Sequence, residues 1–123
     1  MLRSQKLMAF IATRDPARAK AFYGGTLGLQ LLSEDPFALV FDANGTMLRV
    51  TPVRELILAP YTVLGWDVED IEAAVKELTA AGVSFERYGS FPQDEAGIWT
   101  APGGTRVAWF KDPDGNTLSV SQH

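Results

Sequence analysis

The sequence predicts an α+β fold in which two copies of a strand–helix–strand–strand–strand module pack as one sheet-rich domain with the helices on one side. Three observations predict it. The run Phe41-Asp42-Ala43-Asn44-Gly45-Thr46-Met47-Leu48-Arg49-Val50 returns as Lys111-Asp112-Pro113-Asp114-Gly115-Asn116-Thr117-Leu118-Ser119-Val120, with Asp, Gly, Leu and Val in matching places. An aspartate opens a helical pattern in each half, at Asp15 and at Asp70. An apolar extended run precedes each of those aspartates, Leu7–Ala12 and Tyr61–Val68.

In chain order, Leu7–Ala12 reads as a strand, since it is too short for a membrane span and no small-residue cleavage pattern follows it. Asp15 is placed to cap the helix Pro16–Tyr23, and Pro16 fits the first helical position, where its missing N–H costs nothing. Ala19, Phe22 and Tyr23 share one helical face, and Gly24-Gly25 is expected to end the helix. Leu29–Ser33 follows as a strand. Asn44-Gly45 then makes a tight hairpin, with both central residues at positive φ. Pro52 and Pro60 bound a linker over Thr51–Pro60. In the second half Asp70 caps a helix whose Ile71, Ala74, Val75, Leu78 and Ala81 share a face, and Gly82 ends it. Val83–Tyr88 is expected to be a strand, and Asp114-Gly115 a second hairpin of the Asn44-Gly45 kind. Residues 89–97 and 102–104 read as loops. Residues 1–123 form one domain, with a first module over 1–53 and a second over 61–123; ~60 residues alone bury only a marginal core.

Composition narrows the chemistry. A net charge of −4 carries no footprint for nucleic acid. With no cysteine and a single histidine, His123, there is no thiolate site and no multi-imidazole site within one chain. The acidic cluster Asp67, Glu69, Asp70 and Glu72 suits the positive end of a helix better than a metal ion.

Asp15 followed by Ala21-Phe22-Tyr23 and Leu27-Gly28-Leu29, together with Asp112-Pro113-Asp114-Gly115-Asn116 and the duplicated module, resembles the vicinal-oxygen-chelate superfamily: glyoxalase I, bleomycin-resistance proteins and extradiol dioxygenases. The resemblance covers nearly the whole chain and speaks to fold more than to activity. It implies two βαβββ modules forming a curled mixed sheet around an open cavity, with helices on the outer face. It also implies a homodimer. In metal-dependent members of that family four ligands, His, Glu or Gln, His and Glu, enter the cavity from the first and last strand of each module. Those positions fall here on Met8, Arg49, Val63 and Ser119. A thioether, a cation, an aliphatic chain and a lone hydroxyl make a poor donor set for a divalent ion. A one-residue slip, to Leu7 or Ala9, Leu48 or Val50, Thr62 or Leu64, Leu118 or Val120, offers nothing better. No metal, no other cofactor and no catalytic residue are therefore expected.

Alternation along strands puts Met8 and Phe10, Met47 and Arg49, Val63 and Gly65, and Ser119 on cavity faces, while Leu48, Val50, Leu118 and Val120 turn to the helices. Phe37, Trp99 and Trp109 either line the cavity or belong to the core. Arg49 has two readings: an edge position or a salt bridge to an acid such as Glu55 or Asp67, which weighs more, and an anchor for an anionic or carbonyl group of a ligand. The function expected is metal-independent binding of a small aromatic or amphipathic molecule by a cytoplasmic homodimer, with no nucleic-acid or membrane partner. The alternatives are a metal-dependent lyase, isomerase or dioxygenase of the same superfamily with atypical ligands, and an interaction module with no small ligand.

Overall fold

The computed structural model describes all residues, 1–123. The chain divides into two compact units, Met1–Ile57 and Leu58–His123.

The first unit begins with a short 3-10 turn and continues with β1 (Met8–Thr13), α1 (Pro16–Lys20), β2 (Gln30–Asp35), β3 (Ala38–Ala43) and β4 (Thr46–Pro52). Its strands are ordered β1-β4-β3-β2; β1 and β4 run parallel and the other pairs antiparallel. Asp15 caps α1 as expected, its carboxylate accepting from the Arg18 N–H at 3.2 Å, with Pro16 in the first turn. Gly24-Gly25 does not end the helix. The turns widen to a π-helical stretch over Ala21–Thr26, with Leu27 N–H bonded to Phe22 O at 2.8 Å, and the left-handed residue is Gly28, at φ +74°. Gly24 lies against the Phe41 ring, where an added Cβ would make ordinary contact at 3.4 Å. The wide turn lets buried Tyr23 meet Phe41, ring centroids 6.1 Å apart, above Ile11, Leu48 and Val50. Asn44 and Gly45 both adopt positive φ between the paired residues Ala43 and Thr46, the expected two-residue hairpin.

The second unit contains β5 (Leu64–Asp67), α2 (Ile71–Ala80), β6 (Trp99–Thr100), β7 (Arg106–Lys111) and β8 (Thr117–Gln122), with strand order β5-β8-β7-β6 and a parallel β5–β8 pair. The two sheets thus repeat one topology, the α+β arrangement of two βαβββ modules, and neither closes into a barrel. Asp70 caps α2 through the Ala73 N–H at 3.1 Å. Ile71 and Val75 of α2 are buried with Ala108, Phe110, Leu118 and Val120. The ion pair between Glu72 of α2 and Arg106 of β7, 3.5 Å, places the helix on that same face of the sheet. The His123 Nδ1 lies 3.2 Å from an Asp67 carboxylate oxygen. No helix is long and apolar enough to cross a membrane.

Two expectations fail in this unit. Val83–Tyr88 is not a strand: only Phe85 bridges to Phe110, and Glu86 N–H bonds Trp109 O at 2.8 Å. The outer neighbour of β7 is therefore made of two separate pieces, Phe85–Glu86 at one end and β6 at the other, and the chain between them leaves the sheet. The second hairpin also differs from the first, since of its central residues only Gly115 has positive φ. Pro113 fixes its own φ near the right-handed value and so selects a type I turn, closed by Gly115 N–H to Asp112 O at 3.0 Å. The buried Asp112 carboxylate holds that loop from within, accepting from Asp114 N–H, Asn116 N–H and Asn116 Nδ2 at 2.9–3.0 Å.

Candidate functional site

Each sheet turns one face to its helix and leaves the other face to the site residues. In the first unit burial alternates as the sequence predicts. Ile11, Leu48 and Val50 are buried, while Phe10 is 61% exposed and Met8 and Met47 are also exposed. Register brings Met8 beside Met47 and Phe10 beside Arg49, and puts Val40 of β3 on the other side of Arg49. Arg49 is half-buried. Its strand is flanked on both sides, so it is not an edge residue. It takes part in none of the chain's ion pairs; Glu55 does not reach it, and Asp67 is paired with His123. The face is thus apolar, with one unpaired guanidinium near its centre. Phe37 sits apart from this group in the β2–β3 turn, 77% exposed, where its N–H bonds the Asp35 carboxylate at 2.7 Å.

In the second unit Gly65 and Trp109 flank Ser119 from β5 and β7, so all three share the face opposite α2. Val63 lies just before β5, its N–H bonded to Thr117 O at 2.9 Å. Trp99 pairs with Val107 on that face and lies 6.0 Å from Trp109, ring to ring. Ser119 is only 7% exposed. A Cβ at Gly65 would approach its Oγ to 2.9 Å, closer than atoms pack. Gly65→Ala is expected to cost about 1–2 kcal/mol by overpacking. Adding Ser119→Ala removes the offending oxygen and should recover most of that cost. A urea-denaturation double-mutant cycle checks this, and strict additivity would count against the contact.

Sequence reasoning missed Tyr88, Phe91 and Lys111. Tyr88 stands edge-on to Trp109 at 5.5 Å, and Phe91 lies 5.3 Å from Trp109 and 5.1 Å from Trp99. Burial, and then the nearby Glu86 carboxylate, push the Tyr88 pKa above its ordinary value of 10.0, so the phenol stays a neutral donor. A pocket of about 390 Å³ opens here, with Tyr61, Tyr88, Phe91, Trp109 and Lys111 among its walls. The only signal in the sequence is two aromatics within a Gly- and Pro-punctuated loop, where no periodicity fixes facing.

Such a fold, two four-stranded sheets each built on a βαβββ module, defines a class before any residue of the site is considered. Residues 6–120 match the sequence model of the Glyoxalase/Bleomycin resistance protein/Dioxygenase superfamily, and the chain belongs to that family, the vicinal-oxygen-chelate superfamily. Among solved structures it is similar to a glyoxalase family protein from Enterococcus faecalis (TM-score 0.75, 21% identity, 98% of this chain and 99% of that one). It is also similar to a lactoylglutathione lyase from Agrobacterium tumefaciens (TM-score 0.73, 17% identity, 96% and 93%). A third is a glyoxalase/bleomycin resistance protein from Catenulispora acidiphila (TM-score 0.70, 22% identity, 96% and 97%). At these identities the likeness concerns the fold. No curated protein sequence matches the chain.

In the metal-dependent members that the resemblance points to, four strand positions hold a divalent ion, and the donor set here does not fit one. The four strand positions carry Met8, Arg49, Val63 and Ser119, and nowhere do three of the chain's His, Asp or Glu side chains come together as a possible metal site. The Arg49 guanidinium is itself a fixed positive charge that would repel the ion.

Proposed function

We propose that the protein binds a small aromatic or amphipathic molecule without a metal ion, and that Arg49 anchors an anionic or carbonyl group of that molecule. The setting of Arg49 carries this reading. A half-buried guanidinium between Phe10 and Val40, with no carboxylate partner, has surrendered part of its hydration and gains most from an acceptor that a ligand brings. The apolar side chains around it suit the rest of such a molecule. The exposed Met8, Phe10 and Met47 also favour a homodimer, which would cover apolar surface.

Native mass spectrometry of freshly purified protein reports assembly mass, bound metal and any carried small molecule together. The expected result is a metal-free dimer with an organic ligand. A stoichiometric, chelator-resistant divalent ion would overturn metal independence and favour a lyase, isomerase or dioxygenase with atypical ligands. Arg49→Met is expected to weaken the ligand so identified by about 10- to 100-fold, the loss of one charge-assisted contact. Unchanged affinity would remove Arg49 from the site.

A further inference from the structure

The loop that interrupts the outer edge of the second sheet is hydrogen-bonded at its base and packed by rings at its tip. Gln93 clamps the base. Its Oε1 accepts from Tyr88 N–H at 2.7 Å, and its Nε2 donates to Glu86 O at 2.9 Å and Gly97 O at 2.7 Å. Arg87 donates to the carbonyls of Asp94 and Glu95, and the Asp94 carboxylate accepts from Ala96 and Ile98 N–H. No hydrogen bond ties the tip, Gly89 to Pro92, to the rest of the chain. Its Phe91 ring is placed by Tyr88, Trp99 and Trp109 at 5.1–5.7 Å. A hydrogen-bonded base with an unbonded tip can move Phe91 without unfolding the loop.

The pocket beside Phe91 has a definite chemical character. Its volume of about 390 Å³ is within the range of small-molecule sites. Lys111 is the one charged residue of its lining; the polar remainder, Tyr61, Tyr88, Ser90 and Thr117, consists of hydroxyls. Glu86 stands at the outer limit of an ion pair with Lys111, 4.0 Å, and both side chains are open to solvent. A pair that loose is worth little and yields readily to a better acceptor.

We propose that this pocket binds a planar aromatic anion, its ring against Trp109 beside or in place of Phe91, and its carboxylate or sulfonate at Lys111. Offset or edge-on ring contacts supply the apolar part of the affinity, and the ammonium with the neutral Tyr88 phenol selects the anion. All of these groups belong to the second unit, so the site does not depend on the role proposed for Arg49.

The probe is 2-naphthoate, compared with the cationic isostere 2-naphthylmethylamine, and the readout is the indole N–H resonances. The chain has three tryptophans, so Trp99→Phe and Trp109→Phe assign the signals and Trp66, on the helix-covered side, serves as an internal reference. The expected result is a saturable shift of the Trp109 resonance by naphthoate, with at least about tenfold preference over the amine. Lys111→Gln should abolish that preference while leaving the unliganded spectrum native-like, and Phe91→Ala should change naphthoate affinity. Equal binding of the two probes, an unaltered preference in Lys111→Gln, or shifts that spare Trp109 would each overturn the proposal. Those outcomes leave the mass-spectrometric test of metal-free ligand binding untouched, so the two readings fail separately.

Discussion

Phe110→Ala is expected to lower stability by about 3–5 kcal/mol. The ring is fully buried in the second unit, stands edge-on to Phe85 with centroids 5.5 Å apart, and shares its face with Leu118, its register partner on β8. Removing it costs the transfer free energy of the ring and leaves a cavity that the flanking β7–β8 ladder prevents from collapsing. Typical domains are stable by only about 5–15 kcal/mol, so the variant should sit close to its folding threshold. Urea denaturation should show a large fall in midpoint, and Phe110→Leu should lose much less because it keeps most of the volume. The effect should extend to the loop, since the Phe85–Phe110 bridge is where the chain leaves the sheet towards Tyr88 and Phe91. A loss under about 1 kcal/mol would contradict a close-packed core at this point.

Asp112→Ala is expected to cost about 2–4 kcal/mol, although it lies in a turn. The residue is 5% exposed, and its carboxylate accepts from two backbone N–H groups and the Asn116 amide. Alanine would take the acceptor away from those donors in a place with little access to water, which costs part of their desolvation free energy. Asp112→Asn tests the account more finely. Its carbonyl oxygen can still accept from the two backbone groups, but its amide nitrogen would face the Asn116 amide, donor against donor. About half the loss is expected, read as a melting temperature between wild type and Asp112→Ala. Equal melting temperatures for the two variants would mean that the Asn116 contact, not the backbone turn, carries the stability.

Much of the fold was legible because its signals are local. Asp15 and Asp70 cap where they stand, Asn44-Gly45 turns where it stands, and strand alternation put Met8, Phe10, Met47 and Arg49 on one face of the first sheet. Legibility failed where a neighbouring element outweighed a local preference. Gly24-Gly25 looks like a helix end, yet the helix continues through a wider turn that carries Tyr23 to Phe41. Asp114-Gly115 looks like a second Asn44-Gly45, but Pro113 and the inward Asp112 carboxylate choose another turn. Val83–Tyr88 has the composition of a strand, but Gln93 accepts the Tyr88 N–H that a ladder would have used and draws the chain off the sheet.

By itself the sequence determined the module, its duplication and the scarcity of metal-donor side chains, because spacing, caps and residue chemistry are properties of residues and their near neighbours. Only the tertiary structure decided that Arg49 stands on an interior strand without a partner, and that Tyr88, Phe91 and Lys111 join Trp109 around one pocket. Those facts concern residues tens of positions apart, and their direction is set by strand register and by one glutamine's hydrogen bonds, which no periodicity encodes.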